Sequence, residues 1–199
     1  MPRHTGTAAA RPGLPLGPAL PPPAVPHWWA AAAGALTWAS LLVVAGLWLT
    51  NGGVTDVTGI ADAWTSLGRL TGLLAADLLL IQVLLMARIP FVEKAFGQDQ
   101  LAAVHRTVGF GSVALLLAHV LMIIVGYSGA TLGALWPTTT QMVLTMPAMI
   151  LALVGTVFLL LVVVTSIRAA RAKLRYESWH LMHLYAYLGC FLALPHQLW

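Results

Sequence analysis

Between Trp28 and Trp199 the sequence rises five times into stretches of about 20 residues dominated by Leu, Val, Ala and Ile, none with more than two charged side chains. At about 1.5 Å of rise per residue, a helix of that length crosses a hydrocarbon core about 30 Å thick. Lipid offers no water to unpaired backbone groups, so spanning segments must be helices or closed barrels, and continuous apolar runs of this length specify helices. The expected architecture is an all-α integral membrane bundle of about five transmembrane helices, near Trp28 to Leu49, Thr65 to Ala87, Ala102 to Tyr127, Gln141 to Ile167 and Trp179 to Trp199. Composition agrees. Of the 199 residues 59% are hydrophobic and 8% are charged, against about 25% charged in soluble domains.

The charges that remain report topology. The connections around Arg88 to Arg106 and Arg168 to Arg175 hold seven Lys and Arg, whereas Asn51 to Trp64 and Ser128 to Thr140 hold none. By the positive-inside rule the N-terminus is cytoplasmic and this multi-pass chain ends on the outer side. Seven tryptophans fall near span ends, where amphipathic rings favour the headgroup region. The net charge of +4 is scattered over segment ends and forms no basic face, which excludes nucleic acid as a partner and leaves membrane lipid. Residues 1–27 hold eight of the twelve prolines and no apolar period. They read as a disordered cytoplasmic tail before a transmembrane domain over 28–199. The last span stops at Trp199 without an exit loop, the pattern of a protein cut short of a further helix.

A single cysteine, Cys190, excludes a disulfide framework within the chain, and it reads as core filler together with the seven methionines. Histidine is the distinctive residue. Five of the seven, His105, His119, His180, His183 and His196, lie in or at the edges of the third and fifth spans, where an ionisable side chain is costly and points to function. His105 and His119 are 14 residues apart and His183 and His196 are 13 apart, or about 21 Å and 20 Å along ideal helices. Both spans run in the same direction, so His105 matches His183 in depth and His119 matches His196. Two histidines on neighbouring helices at one depth can supply both axial imidazoles of a haem, and two such levels make two haems.

Other readings remain beside this one. Structural zinc usually wants four ligands including Cys or carboxylate, and a proton relay wants interleaved Asp and Glu, of which only Asp77 lies mid-span. Taken singly, His105 and His183 could be solvated interface residues, and His180, one turn before His183, competes with it for the inner iron. Thirteen residues also leave His183 and His196 about 140° apart around an ideal helix. Pro195 cannot donate to the carbonyl four residues back, so a kink just before His196 is expected to re-aim that ring. Pro147 should kink the fourth span. Gly109 and Gly111 remove side chains where a porphyrin or a partner helix approaches. Arg106 and Arg175 near the inner end and Arg69 near the outer end could pair with haem propionates, although the first two also serve as topology anchors. Asp77 shares the second span with Gln82 and is expected to be protonated or hydrogen-bonded, with no assigned role.

Two stretches carry a family resemblance: His105-Arg106 through Gly109 to His119, and Arg175-Tyr176-Glu177 with Trp179, His183 and Pro195-His196. With Gly68-Arg69 through Met86-Ala87-Arg88, they make residues 35–199 similar to the transmembrane domain of the ferric reductase family, shared with NADPH oxidases and bacterial flavocytochromes. The resemblance implies two b-type haems on His105, His119, His183 and His196, and one-electron transfer from a cytosolic flavin donor to an outer acceptor, ferric iron or oxygen. Full-length relatives add a sixth helix and a cytosolic portion for FAD and NAD(P)H. Here those cofactors are expected only on a missing C-terminal flavin domain or on a separate flavoprotein reductase, so this chain reads as the membrane part of an oxidoreductase. The alternative is a non-enzymatic haem-binding subunit that docks a separate reductase, such as the haem subunit of the methionine sulfoxide reductase system, which resembles this chain in size and around Pro195-His196-Gln197-Leu198-Trp199. A cofactor-free transporter or structural bundle is the third reading.

Overall fold

A computed structural model describes residues 27–167, 172–173 and 175–198. The expected N-terminal tail, the cationic residues Arg168 and Arg171, and Trp199 lie outside the described residues. Every regular element among the described residues is helical. Helices α1 (His27–Thr50), α2 (Ile60–Met86), α3 (Pro90–Phe96) and α4 (Gln98–Tyr127) are followed by a 3-10 turn (Leu132–Ala134), α5 (Leu135–Thr145), α6 (Met149–Ser166), α7 (Tyr176–Ala193) and α8 (Pro195–Leu198). Helices α1, α2, α4 and α6 are long and apolar enough to cross a membrane, which makes this a multi-pass membrane protein. The fifth expected span corresponds to α7, whose 18 residues include Glu177, three tyrosines and two histidines and are correspondingly less apolar.

The interruptions follow local chemistry. The expected fourth span is two helices. Pro147 forces the residue before it out of the helical region, Met146 is extended at φ −82° and ψ 138°, and Ala148 then takes a left-handed φ of 60° before α6 begins. What the sequence suggests as a kink is therefore a full break. Pro90 starts α3, where its missing N–H costs nothing. Gly97, at φ 75°, makes the corner between α3 and α4 that a side chain would strain. Pro195 cannot continue the hydrogen-bond ladder of α7, and the chain resumes as the single turn α8.

The helices pack as two tight pairs, α2 against α4 and α6 against α7, with α1 leaning on α2 and α5 bridging α4 and α6. Lipid is as apolar as leucine, so helices in it associate through close backbone approach rather than hydrophobic burial. Small residues make that approach here. Gly68 faces Ile123 and Gly126 faces Thr65 between α2 and α4, and Gly155 faces Gly189 between α6 and α7. Large apolar side chains such as Leu42, Phe110, Leu121 and Phe191 point outward, as a lipid-facing surface requires. Asp77, mid-span on α2, meets Ser40 of α1 with oxygens 2.9 Å apart, and Trp48 Nε1 donates to the Ser66 carbonyl at 3.0 Å. These two bonds fasten α1. A mid-span carboxylate is thus hydrogen-bonded, as expected for a polar group in lipid.

Candidate functional site

The backbones of α4 and α7 stay apart, and histidine side chains reach into the space between them. His105 of α4 meets His183 of α7 with ring centres 6.1 Å apart and planes inclined by 58°. Fourteen residues further along α4, His119 meets His196 of α8 at 6.2 Å and 47°. The structure thus brings the four histidines together as two cross-helix pairs, separated by about 21 Å along α4. The azimuth problem between His183 and His196 is met by the break at Pro195, which puts His196 in its own turn.

His180 takes no part in either pair. It is exposed and stacks on Tyr176, with ring centres 6.1 Å apart and planes 11° apart. On the same helix His183 turns inward, its ring 5.0 Å from that of Trp179. No third His, Cys, Asp or Glu joins either pair to form a metal-binding group among the described residues.

Three of the four second ring nitrogens have partners of their own. His119 Nδ1 lies 2.8 Å from the Gly68 carbonyl of α2. A carbonyl can only accept, so Nδ1 carries the hydrogen and Nε2 keeps a free lone pair. His196 Nδ1 meets the Ala193 carbonyl in the same sense. His183 Nδ1 has the Ser166 hydroxyl at 3.3 Å, and His105 Nδ1 is buried without a hydrogen-bond partner. Midway between the two levels Ser112 is fully buried. It receives a hydrogen bond from Gln82 Nε2 at 2.6 Å and donates to the Gly109 carbonyl at 3.0 Å.

The weaker sequence candidates divide. Gly109 admits Gln82, since a Cβ there would stand 3.2 Å from Gln82 Oε1, whereas Gly111 faces open space. Arg106 is exposed beside His105. Arg175 pairs loosely with Glu177 at 3.9 Å. Arg69 is exposed, its guanidinium 3.4 Å from the Asn51 carbonyl in a cleft shared with Gly52, Asp56 and Asp62. Cys190 is a free, partly buried thiol. Sequence reasoning missed Gly72 and Ser166 and the roles of the Gly68 and Ala193 carbonyls. The Gly68-x-x-x-Gly72 spacing, a signature of close helix approach, was the signal available for the first two glycines.

One family model, described as the ferric reductase like transmembrane component, matches residues 71–194. That stretch contains His105, His119 and His183 and ends two residues before His196. No curated protein and no solved structure matches the chain.

Proposed function

The chain belongs to the ferric reductase-like transmembrane family, and from that premise we propose that it carries single electrons across a bacterial plasma membrane through two b-type haems. One would be held by His105 and His183, the other by His119 and His196. The observation that carries this reading is the pair of matched histidine contacts, 6.1 Å and 6.2 Å between ring centres. Two imidazoles bound on opposite sides of one metal ion, at about 2 Å per bond, leave their ring centres roughly 6 Å apart. Two imidazoles with no third ligand suit a macrocycle that brings four nitrogens of its own and asks the protein only for axial ligands.

When bound, each haem supplies a one-electron iron couple. The chain's own residues do the rest. The four histidines fix position and depth, and the Gly68 and Ala193 carbonyls hold His119 and His196 in the tautomer that frees Nε2. Arg106 is free to meet a carboxylate such as a haem propionate. Arg69 can do so at the opposite end, because its present 3.4 Å contact to a carbonyl is weaker than a charge-assisted bond.

The cationic connections favour the His105–His183 level as the cytoplasmic one. There a flavoprotein reductase, or a C-terminal flavin domain carrying FAD and NAD(P)H, would deliver electrons; ferric iron or oxygen would accept them outside. Haem extracted from the purified chain tests the reading. The expected result is two haems per chain, falling to one in His119→Ala or His196→Ala with the other level's absorbance kept. Haem-free protein, or equal loss of both haems from one substitution, overturns it. Reduction by NAD(P)H only after a flavoprotein is added separates the subunit reading from a chain with its own flavin domain.

A further inference from the structure

The two histidine pairs are chemically unequal, and the inequality traces to α2. His119 Nδ1 donates to the Gly68 carbonyl at 2.8 Å, and its mate His196 donates to the Ala193 carbonyl. At the other level His183 has a hydroxyl at 3.3 Å. The buried His105 Nδ1 makes no hydrogen bond of regular geometry, and the Gln82 backbone gives that ring only a weaker polar contact.

Gly68 and Gln82 are 14 residues apart on α2, as His105 and His119 are on α4. The two helices are antiparallel neighbours, so α2 presents one backbone carbonyl to each histidine. A helical carbonyl is overhung by the side chain four residues on, because each Cβ leans toward the helix N-terminus. After Gly68 that residue is Gly72. A Cβ at Gly72 would fall on the His119 imidazole, 2.8 Å from Cε1 and 3.0 Å from Cγ. After Gln82 the residue is Met86, which carries a full side chain. The Gly68 carbonyl, which also accepts the Thr71 hydroxyl at 2.9 Å, stays open on its His119 side, whereas the Gln82 carbonyl is followed at that position by a full side chain.

We infer that Gly68 and Gly72 are positioning residues that make His119–His196 the stronger electron-donating ligand pair and leave His105–His183 the weaker one. An imidazole that gives its Nδ1 hydrogen to a carbonyl gains basicity at Nε2. Richer axial donation favours ferric over ferrous iron, and hydrogen bonding around the ligands is one of the levers that set a haem potential. The inference rests on the haem reading above. Its consequence is that an electron shared between the levels rests preferentially at His105–His183, and the far level passes it on when an acceptor draws it.

The test uses the full-length chain with 15N-labelled histidine in detergent, before and after haem loading. In the haem-free protein, His119 should show a hydrogen-bonded Nδ1–H that His105 lacks, and Gly72→Ala should abolish it. Indistinguishable His105 and His119 signals overturn the inference whether or not haem binds. In the loaded protein a redox titration should resolve two steps, with the His105–His183 haem, assigned from the His119→Ala variant, reduced first. The expected preference is at least tenfold, which for one electron is about 59 mV. Gly72→Ala should narrow the gap by lifting the harder step alone, and Ser166→Ala should widen it. Coincident steps, an inverted order, or a Gly72→Ala effect on the easier step would overturn the proposal. Failure to bind haem would instead fall on the functional reading, with the nitrogen spectra still deciding the inference.

Discussion

Replacing Gly155 by Ala tests whether backbone contact between α6 and α7 sets the spacing of the histidine pairs. A Cβ at Gly155 would stand 2.6 Å from the Gly189 carbonyl oxygen and 3.1 Å from the Ala193 nitrogen, and a Cβ at Gly189 would stand 2.9 Å from the Gly155 oxygen. Those neighbours are mostly backbone, which cannot rotate away as a side chain can, so the helices must part by several tenths of an ångström. Overpacking of this kind costs about 1–3 kcal/mol, a sizeable share of a total stability of about 5–15 kcal/mol. At roughly 2–4 °C per kcal/mol for a chain of this size, the midpoint of thermal unfolding should fall by several degrees.

The same displacement should reach the site, because α7 and the turn after it carry His183 and His196. Haem retention should therefore drop at both levels together, unlike the single-level loss from a histidine substitution. The double variant Gly155→Ala with Gly189→Ala should cost less than the sum of the singles, since the first separation already makes room for the second methyl group. Thermal unfolding followed by haem absorbance measures both effects. An unchanged midpoint with full haem retention in Gly155→Ala would refute the claim that this contact holds the pair.

Trp48→Phe removes the bond to the Ser66 carbonyl and Ser40→Ala removes the partner of Asp77. Each should loosen α1 by about 0.6–1.5 kcal/mol, read as faster proteolysis of the α1–α2 connection with haem content unchanged. Gln82→Leu or Ser112→Ala alone leaves a buried polar partner unmet and should cost about 1–3 kcal/mol, whereas the apolar double variant should be closer to wild type; strictly additive losses would contradict this. His180→Ala should leave haem content unchanged, because His180 is exposed and stacked on Tyr176, and loss of the haem at the His105 level would show that the wrong histidine of that turn has been assigned.

Helical class and most span positions were legible in the sequence because an apolar run of membrane length leaves a chain few alternatives. The matched depths of the histidines were legible for the same reason, since rise per residue is nearly constant along a helix. Where prolines interrupt the ladder, the sequence announced an event but not its size. Pro147 became a full break because Met146 was driven extended and Ala148 left-handed, and the break at Pro195 aimed His196 at His119, which an ideal helix would not do.

What the amino-acid order determined by itself was one-dimensional: which segments enter lipid, and at what height each imidazole sits. Tertiary structure decided what depends on rotation and on contact between distant segments. It set the His183 ring, and not that of His180, beside His105, set Arg69 against the Asn51 carbonyl, and brought the Gly68 carbonyl to His119 across 51 residues of chain. A helical period fixes height to within an ångström or two per turn. The partner of a given face depends on which helices pack and where glycines let them touch, and that is settled only when the chain has folded.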